Sequence, residues 1–388
     1  MTLARRLVPL QPHSLTRRTS GRRFLLQPGR RVNQILRYCL GVAQAKAPNL
    51  RLHAFLGHTN HTHGSVTDAP LESELPVFMR ELNSLAARAL NAHGGSGETL
   101  WSSPGSYDNV EVHDRETLED QLLYLWTNPV KDGLVSRPEE WPGVLFLPED
   151  FGRTFDVEKP DEAFFGGRRP ADWEPTDPEA RRAHRARKAR AAREARERAR
   201  ARRKARDEQR GRGEKRRRQL ERVRARRRRK RASARQQAAP RPREPRSTLP
   251  DRVTITISRP PGYDPMTLEE VRAHFRALLE AELEAIHAER EADGLTHFMG
   301  VEALLAQNPF ESARDTFPTF ATNPRLAGHG AEGHEALKTE LREWRNRYRE
   351  HLERWQRGER DVVFPCGSYE LPHVHGARVE AAPRAPPF

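Results

Sequence analysis

The sequence NLRLHAFLGHTNHTHGSVT, residues 49–67, decides the fold, because it contains two strand patterns with a turn between them. In residues 49–56 the apolar side chains alternate, which predicts a strand with one buried face. A glycine-containing turn follows, and residues 60–67 are expected to return as the antiparallel partner strand. His61 and His63 are two positions apart on that strand, so both imidazoles point to the same face. Two ring nitrogens on one face are a partial ligand set for a metal ion.

Helical patterns on both sides of this stretch complete the predicted fold. Apolar residues at intervals of three and four predict helices near residues 32–43 and 75–90. Asp114 is a suitable N-cap for a third helix over residues 115–127, which we expect to end before Pro129. This order predicts an α+β fold, with a ferredoxin-like antiparallel sheet and helices packed on one face.

The third predicted helix also places a tyrosine and an amide on one face. Tyr124 and Asn128 are four positions apart, so they share one stripe of the helix, away from its apolar stripe. A metal ion that binds two histidines and a phosphate needs a further oxygen ligand, which Asn128 offers. The alternative is that Tyr124 is a half-buried packing residue and Asn128 a helix cap.

The formal net charge of +15 is concentrated in one segment. Residues 181–240 contain 29 Lys or Arg against 6 Asp or Glu, which leaves a net charge of −8 for the rest of the chain. Such a segment attracts nucleic-acid phosphates without reading their sequence, and it has no aromatic residue for base stacking. We therefore divide the chain into a folded domain (1–150), an Arg/Ala-rich connector, helical or disordered (151–250), and a mainly helical region (251–388).

The C-terminal region has a clear helix start and a second pair of histidines. Thr267 and Glu270 form a capping box ahead of an apolar stripe that includes Phe275. His373 and His375 are also two positions apart, but no tyrosine-bearing helix follows them. We expect these two histidines to be surface or tail residues.

Composition excludes several other classes of protein. No run of about 18 apolar residues is present, which predicts no membrane-spanning helix. The basic N-terminus lacks the apolar core expected of a secretory signal. The two cysteines, Cys39 and Cys366, are too few for a disulfide framework or a four-thiolate zinc site.

Taken in order, these motifs resemble a known family. They are NHTH at residues 60–63, PVFMR at residues 76–80 and YLWTNPVKDGLV at residues 124–135. Over about residues 15–145 the chain resembles the REP-associated tyrosine transposases, the single-tyrosine branch of the HUH nuclease superfamily. The last of the three motifs is the most specific part of the resemblance.

The resemblance implies a site and a reaction. In the family the two strand histidines, here His61 and His63, bind a divalent ion, and an amide or carboxylate one turn after the tyrosine, here Asn128, completes the site. The tyrosine, here Tyr124, attacks a phosphodiester of single-stranded DNA and forms a 5′-phosphotyrosine. Tyr107, in a loop, is the second candidate nucleophile, and Tyr38 is expected to be structural. The implied protein is a transposase that cleaves and rejoins single-stranded DNA near hairpin repeats, with Mg²⁺ or Mn²⁺ as cofactor.

The implied partner is single-stranded or hairpin DNA, with a homodimer left open and no membrane partner. The implied location is the cytoplasm, in association with the nucleoid. We predict a flexible basic tail over residues 1–20 and an edge strand over residues 22–27. The arginines of this N-terminal segment are the candidate DNA-binding residues: Arg17, Arg18, Arg22, Arg23, Arg30 and Arg31.

Three residues of the predicted strand depart from the family pattern, and His58, ahead of the strand, lies where a small turn and an apolar residue are usual. Thr62, Gly64 and Ser65 stand where family members usually have apolar strand residues, and Gly and Ser weaken a central strand through loss of packing. One alternative is therefore a catalytically silent, domesticated DNA-binding protein of the same fold. A second is a relaxase or replication initiator, although the sequence shows no Walker loop and no second tyrosine next to Tyr124. A third is a nucleic-acid chaperone that depends on the basic segment alone.

Overall fold

The protein is described here from a computed structural model of the chain. The structure describes residues 4–94, 99–102, 107–161, 163–165, 249–313, 326–328 and 330–382. The described residues up to 165 and those from 250 onward belong to one compact unit. The basic connector, including residues 181–240, lies outside the described residues, so the division of the chain into three parts stays a prediction. No helix in the described ranges is long and apolar enough to span a membrane.

The N-terminal part alternates strands and helices. In chain order its elements are β1 (Pro12–Arg18), α1 (Arg30–Lys46), β2 (Arg51–Gly57), β3 (His61–Thr67), α2 (Leu75–His93), β4 (Asp108–Val112), α3 (Arg115–Lys131) and β5 (Thr154–Glu158). The C-terminal part adds β6 (Arg252–Thr256), α4 (Leu268–Ala292), α5 (Val301–Leu305), β7 (Leu326–Ala327), α6 (Ala331–Arg357), β8 (Val363–Phe364), α7 (Glu370–His375) and β9 (Arg378–Val379).

A five-stranded sheet with the strand order β2-β3-β1-β4-β7 forms the centre of the fold. The first four strands pair antiparallel, and β7 pairs parallel with β4. The prediction of a wholly antiparallel sheet is therefore wrong, because a strand from the C-terminal part joins the edge in the parallel direction. The combination of a small sheet with helices is confirmed. The ferredoxin-like layout with helices on one face stays a prediction.

Strand β1 lies where the sequence predicted a flexible tail, so that prediction is wrong for residues 12–18. The edge strand predicted over residues 22–27 is also wrong. β1 is a central strand, and all seven of its residues pair with β3. Its sequence, PHSLTRR, has no apolar alternation, yet His13 and Leu15 are buried and neighbouring strands pair with both edges of β1.

Helix α3 continues one turn further than predicted. Asp114 caps its N-terminus, as expected, by accepting a backbone hydrogen bond at 2.7 Å. The helix passes through Pro129 and ends at Lys131. A proline this close to the end removes only one backbone hydrogen bond, and burial of Pro129 and Val130 offsets that loss. Lys131 therefore belongs to the same helix as Tyr124.

Helix α4 packs against α3 through an aromatic core. The capping box predicted at its start is confirmed, since Thr267 and Glu270 bond reciprocally. Phe275 of α4 is fully buried, and its ring centroid lies 5.6 Å from those of Trp126 on α3 and Phe151. The C-terminal part thus helps to fix the position of the helix that bears Tyr124.

Buried histidines link the stability of the fold to pH. His53 on β2 is fully buried, with one ring nitrogen 2.8 Å from the Thr67 hydroxyl and the other 3.0 Å from the Ser258 carbonyl. Burial lowers the pKa of His53 to about 4, and burial also lowers the pKa of His13 on β1. Both rings are therefore neutral in the folded protein at pH 7.

We expect the free energy of unfolding to fall as the pH drops from about 6.5 towards 4. In this window the unfolded chain protonates His53 and the folded chain does not. Protonation therefore favours the unfolded chain, so the free energy of unfolding is highest above the unfolded pKa and falls on acidification. The difference between 6.5 and about 4 corresponds to about 3 kcal/mol. Urea unfolding at pH 7, 5.5 and 4.5 measures it. A His53→Gln chain is expected to depend less on pH, and an unchanged dependence would contradict the assignment.

Candidate active site

Strand β3, which contains the histidine pair, is intact despite its polar sequence. It pairs with β1 along one edge and with β2 along the other. A Cβ atom at Gly64 would meet Phe55 at 3.7 Å and Leu15 at 4.0 Å, which is ordinary van der Waals contact. Thr62 and Ser65 are buried in the sheet. The three departures from the family pattern therefore do not interrupt the strand.

His61 and His63 lie side by side on one face of the sheet. Their ring centroids are 4.6 Å apart and their planes are 87° apart. His63 Nδ1 is 2.9 Å from the Thr16 hydroxyl, and His61 Nδ1 is 2.6 Å from Asn60 Oδ1. When Nδ1 is engaged in this way, Nε2 is the nitrogen left to bind a metal ion.

Both imidazoles are neutral at physiological pH. Burial, together with the positive charge of the neighbouring Arg18, lowers the pKa of His63 to about 4. Burial also lowers the pKa of His61 well below its usual range; His58, His63 and Arg18 add to this effect, and Asn128 opposes it. The neutral ring is the form that binds a metal ion, so the site needs no deprotonation before a metal binds.

Helix α3 brings Tyr124 and Asn128 to these histidines. The Tyr124 ring centroid is 5.6 Å from that of His63, with the planes at 88°, and the side chain is 45% exposed. Asn128 is only 5% exposed, and its Oδ1 is buried without a hydrogen-bond partner. The cap of the helix is Asp132 and not Asn128. The phenol is therefore accessible from solvent, and an unpaired amide oxygen lies one turn further along the helix.

The chemistry of these groups suits a divalent ion. Two neutral imidazoles and one amide oxygen are donors that Mn²⁺ accepts, and Mg²⁺ favours the oxygen. The unpaired Asn128 Oδ1 is the feature of the structure that such an ion would explain. In the described part of the chain, no group of three or more His, Cys, Asp or Glu residues is arranged to hold a metal. The metal therefore stays a prediction that rests on the set His61, His63 and Asn128.

His58 is a neighbour of the site that sequence reasoning did not find. Its ring stacks between His61, at 4.5 Å, and Trp141, at 5.2 Å. Its Nε2 lies 3.4 Å from the Asp132 carboxylate but makes no hydrogen bond. Because burial lowers the pKa of His58 to about 3, the ring is neutral and holds His61 by stacking. His58 reaches this position because it lies in the turn between β2 and β3. Its spacing from His61 in the sequence does not indicate that the two rings are in contact.

The other tyrosines and the second histidine pair have surroundings typical of structural residues. Tyr107 is 7% exposed, Arg5 lies 4.1 Å from its ring centroid, and burial raises its pKa. Tyr38 is fully buried and donates a hydrogen bond of 2.5 Å to a backbone carbonyl. His373 and His375 are exposed on α7. Of Tyr38, Tyr107 and Tyr124, only Tyr124 is both accessible to solvent and next to His61 and His63.

The six candidate arginines lie on β1, on α1 and in the segment between them, and not on a flexible tail. They follow β1 and the start of α1: Arg17 and Arg18 on the strand, Arg22 and Arg23 in the loop after it, and Arg30 and Arg31 in the first turn of the helix. Arg18 is exposed and pairs across the sheet with His61, so it lies next to the site. Arg17 lies over the Trp101 ring at 5.8 Å. Their contact with DNA stays a prediction.

Comparison with solved structures finds transposases. One match is a REP-associated tyrosine transposase bound to a REP hairpin, at 19% identity and a TM-score of 0.33, covering 39% of this chain and 85% of that one. The predicted resemblance is confirmed. A second match is a protein from Deinococcus radiodurans R1 assigned as a transposase, at 21% identity and a TM-score of 0.24, covering 33% of this chain and 97% of that one. No family model matches the chain, and no curated protein matches it.

Proposed function

We propose that this chain is a transposase that cleaves and rejoins single-stranded DNA near hairpin repeats, with Tyr124 as the nucleophile. The observation that supports this function best is the position of the phenol. Tyr124 is half-exposed, its ring is 5.6 Å from that of His63, and the unpaired Asn128 Oδ1 lies one turn away. Exposure admits a DNA strand, and the neighbouring donors are of the types that phosphoryl chemistry uses.

In the proposed reaction the Tyr124 oxygen attacks phosphorus and loses its proton to solvent. The bond from phosphorus to the 3′ oxygen breaks, and that oxygen leaves as a hydroxyl after gaining a proton. The phosphate stays on Tyr124 as a 5′-phosphotyrosine, so the reverse reaction rejoins DNA without ATP. Tyrosine is a weak nucleophile at neutral pH. A divalent ion held by His61, His63 and Asn128 would supply Lewis-acid stabilisation of the phosphate.

Charge near the site supports DNA as the partner. The exposed Arg18 is paired across the sheet with His61, where it can bind a phosphate beside the phenol. Residues 181–240 supply 29 basic residues for affinity that is independent of sequence. Because one structural neighbour was solved with a REP hairpin, we propose hairpin DNA with a single-stranded flank as the substrate.

The proposal is tested by mapping a covalent product. The full chain is incubated with 3′-labelled hairpin oligonucleotides that have varied single-stranded flanks, in Mn²⁺ or in EDTA. We expect a labelled adduct on a denaturing gel in Mn²⁺ only, and mass spectrometry of the digested adduct should place the nucleotide on Tyr124. A nucleotide on another residue would overturn the assignment. Hairpin binding without an adduct on any flank would favour the silent DNA-binding protein.

A further inference from the structure

The end of helix α3 contains a cation that the proposed reaction does not yet use. Lys131 is seven residues after Tyr124, two turns along the same helix. Its Nζ lies 5.6 Å from the centroid of the Tyr124 ring, within the range of a cation–π contact. The side chain is 36% exposed, so the ammonium is open to a ligand that approaches the phenol.

Glu282 of helix α4 holds this ammonium in place. Its carboxylate accepts a hydrogen bond of 2.7 Å from Lys131 Nζ. An ammonium has three N–H donors, so the bond to Glu282 leaves donors for another acceptor. An ion pair this exposed contributes little to stability, so its position over the phenol points to a different use.

Helix α4 is itself fixed with respect to α3. Phe275 packs on Trp126, and Arg137, just beyond α3, forms an ion pair with Glu280 of α4. Glu280 and Glu282 therefore form ion pairs with two cationic side chains, Arg137 and Lys131, that follow Asn128 in the chain. The C-terminal part in this way determines where the Lys131 ammonium lies relative to the phenol.

We propose that Lys131 binds the DNA phosphate at Tyr124, and that Glu282 is the positioning residue that holds it there. The ligand is a phosphodiester of the substrate strand, and in this respect the inference rests on the proposed function. An ammonium at this position neutralises charge that develops on the phosphate when the phenol attacks. In this arrangement the C-terminal part of the chain has a role, because it contributes Glu282 to the site.

Phosphate binding is tested in a chain with Tyr124→Phe, which keeps the ring and cannot cleave. Affinity for a hairpin oligonucleotide is measured by fluorescence anisotropy from 50 to 300 mM KCl. Adding Lys131→Met is expected to reduce the slope of log K against log salt by about 0.7 to 0.9 and to weaken binding about five- to eightfold at 0.1 M salt. Lys131→Arg should restore the slope.

The matched control is Lys338→Met, which removes another lysine that is paired with a glutamate, here Glu335 at 2.6 Å on α6. We expect the slope to stay unchanged in this control. An unchanged slope with Lys131→Met, or an equal loss in both variants, would overturn the phosphate role of Lys131.

The positioning role of Glu282 is tested separately, by Glu282→Gln in a chain that retains Tyr124. We expect the salt slope to be kept and adduct formation to slow roughly tenfold, because the phosphate is still bound but is misplaced. An unchanged rate would overturn this role. A parent chain that binds no hairpin DNA would refute the proposed function together with this inference. A parent that binds DNA without forming an adduct would refute the reaction alone, and the slope would still decide the role of Lys131.

Discussion

A chain with Tyr124→Phe is expected to form no covalent adduct with DNA while it keeps its affinity for hairpin oligonucleotides. The substitution removes only the hydroxyl group that attacks phosphorus. The ring remains, together with its contacts to His63 and to the Lys131 ammonium. Because the hydroxyl that the substitution removes is the proposed nucleophile, we expect adduct formation to fall by about a thousandfold or more. The label shifted on a denaturing gel measures the adduct, and anisotropy measures binding.

The matched control is Tyr107→Phe, which removes a hydroxyl from the other tyrosine that was considered as a nucleophile. Tyr107 is 7% exposed and lies under the Arg5 guanidinium, so its hydroxyl is not accessible to a DNA strand. This variant should form the adduct at the rate of the unmodified chain. An adduct that persists with Tyr124→Phe and disappears with Tyr107→Phe would reverse the assignment of the nucleophile.

The parts of the site that could be predicted from the sequence are those within a single element. His61 and His63 share a strand, and Tyr124 and Asn128 share a helix, so the period of each element fixes which side chains share a face. The resemblance to the family then implies that the strand and the helix meet. The structure places the ring of Tyr124 5.6 Å from that of His63, as that interpretation requires.

The parts that could not be predicted depend on contacts between distant elements. Lys131 and Glu282 are 151 residues apart in sequence, and nothing in either local pattern indicates that they meet. His58 lies in a turn, where no regular period fixes the direction of its side chain. Strand β1 was missed for a related reason: its backbone pairs with β3 and β4, and such pairing between distant segments leaves no alternation in its largely polar sequence.

Phe275→Ala is expected to cause a large loss of stability. The side chain is fully buried among the rings of Trp126, Phe151 and Tyr263, with centroid distances of 5.1 to 5.6 Å. Removing a buried phenylalanine leaves a cavity and costs about 3 to 5 kcal/mol, which should lower the melting temperature by roughly 6 to 15 °C. Differential scanning calorimetry of the full chain measures this change.

Phe310→Ala is the matched control for this loss, because it makes the same substitution at a side chain that is 56% exposed. It should change the free energy of unfolding by no more than about 0.5 kcal/mol. If Phe275→Ala were equally mild, α4 would not be anchored through this core, and Glu282 would lack a fixed position from which to hold Lys131. A large loss at Phe275 alone is what we expect if the C-terminal part belongs to the same folding unit as the helix that bears Tyr124.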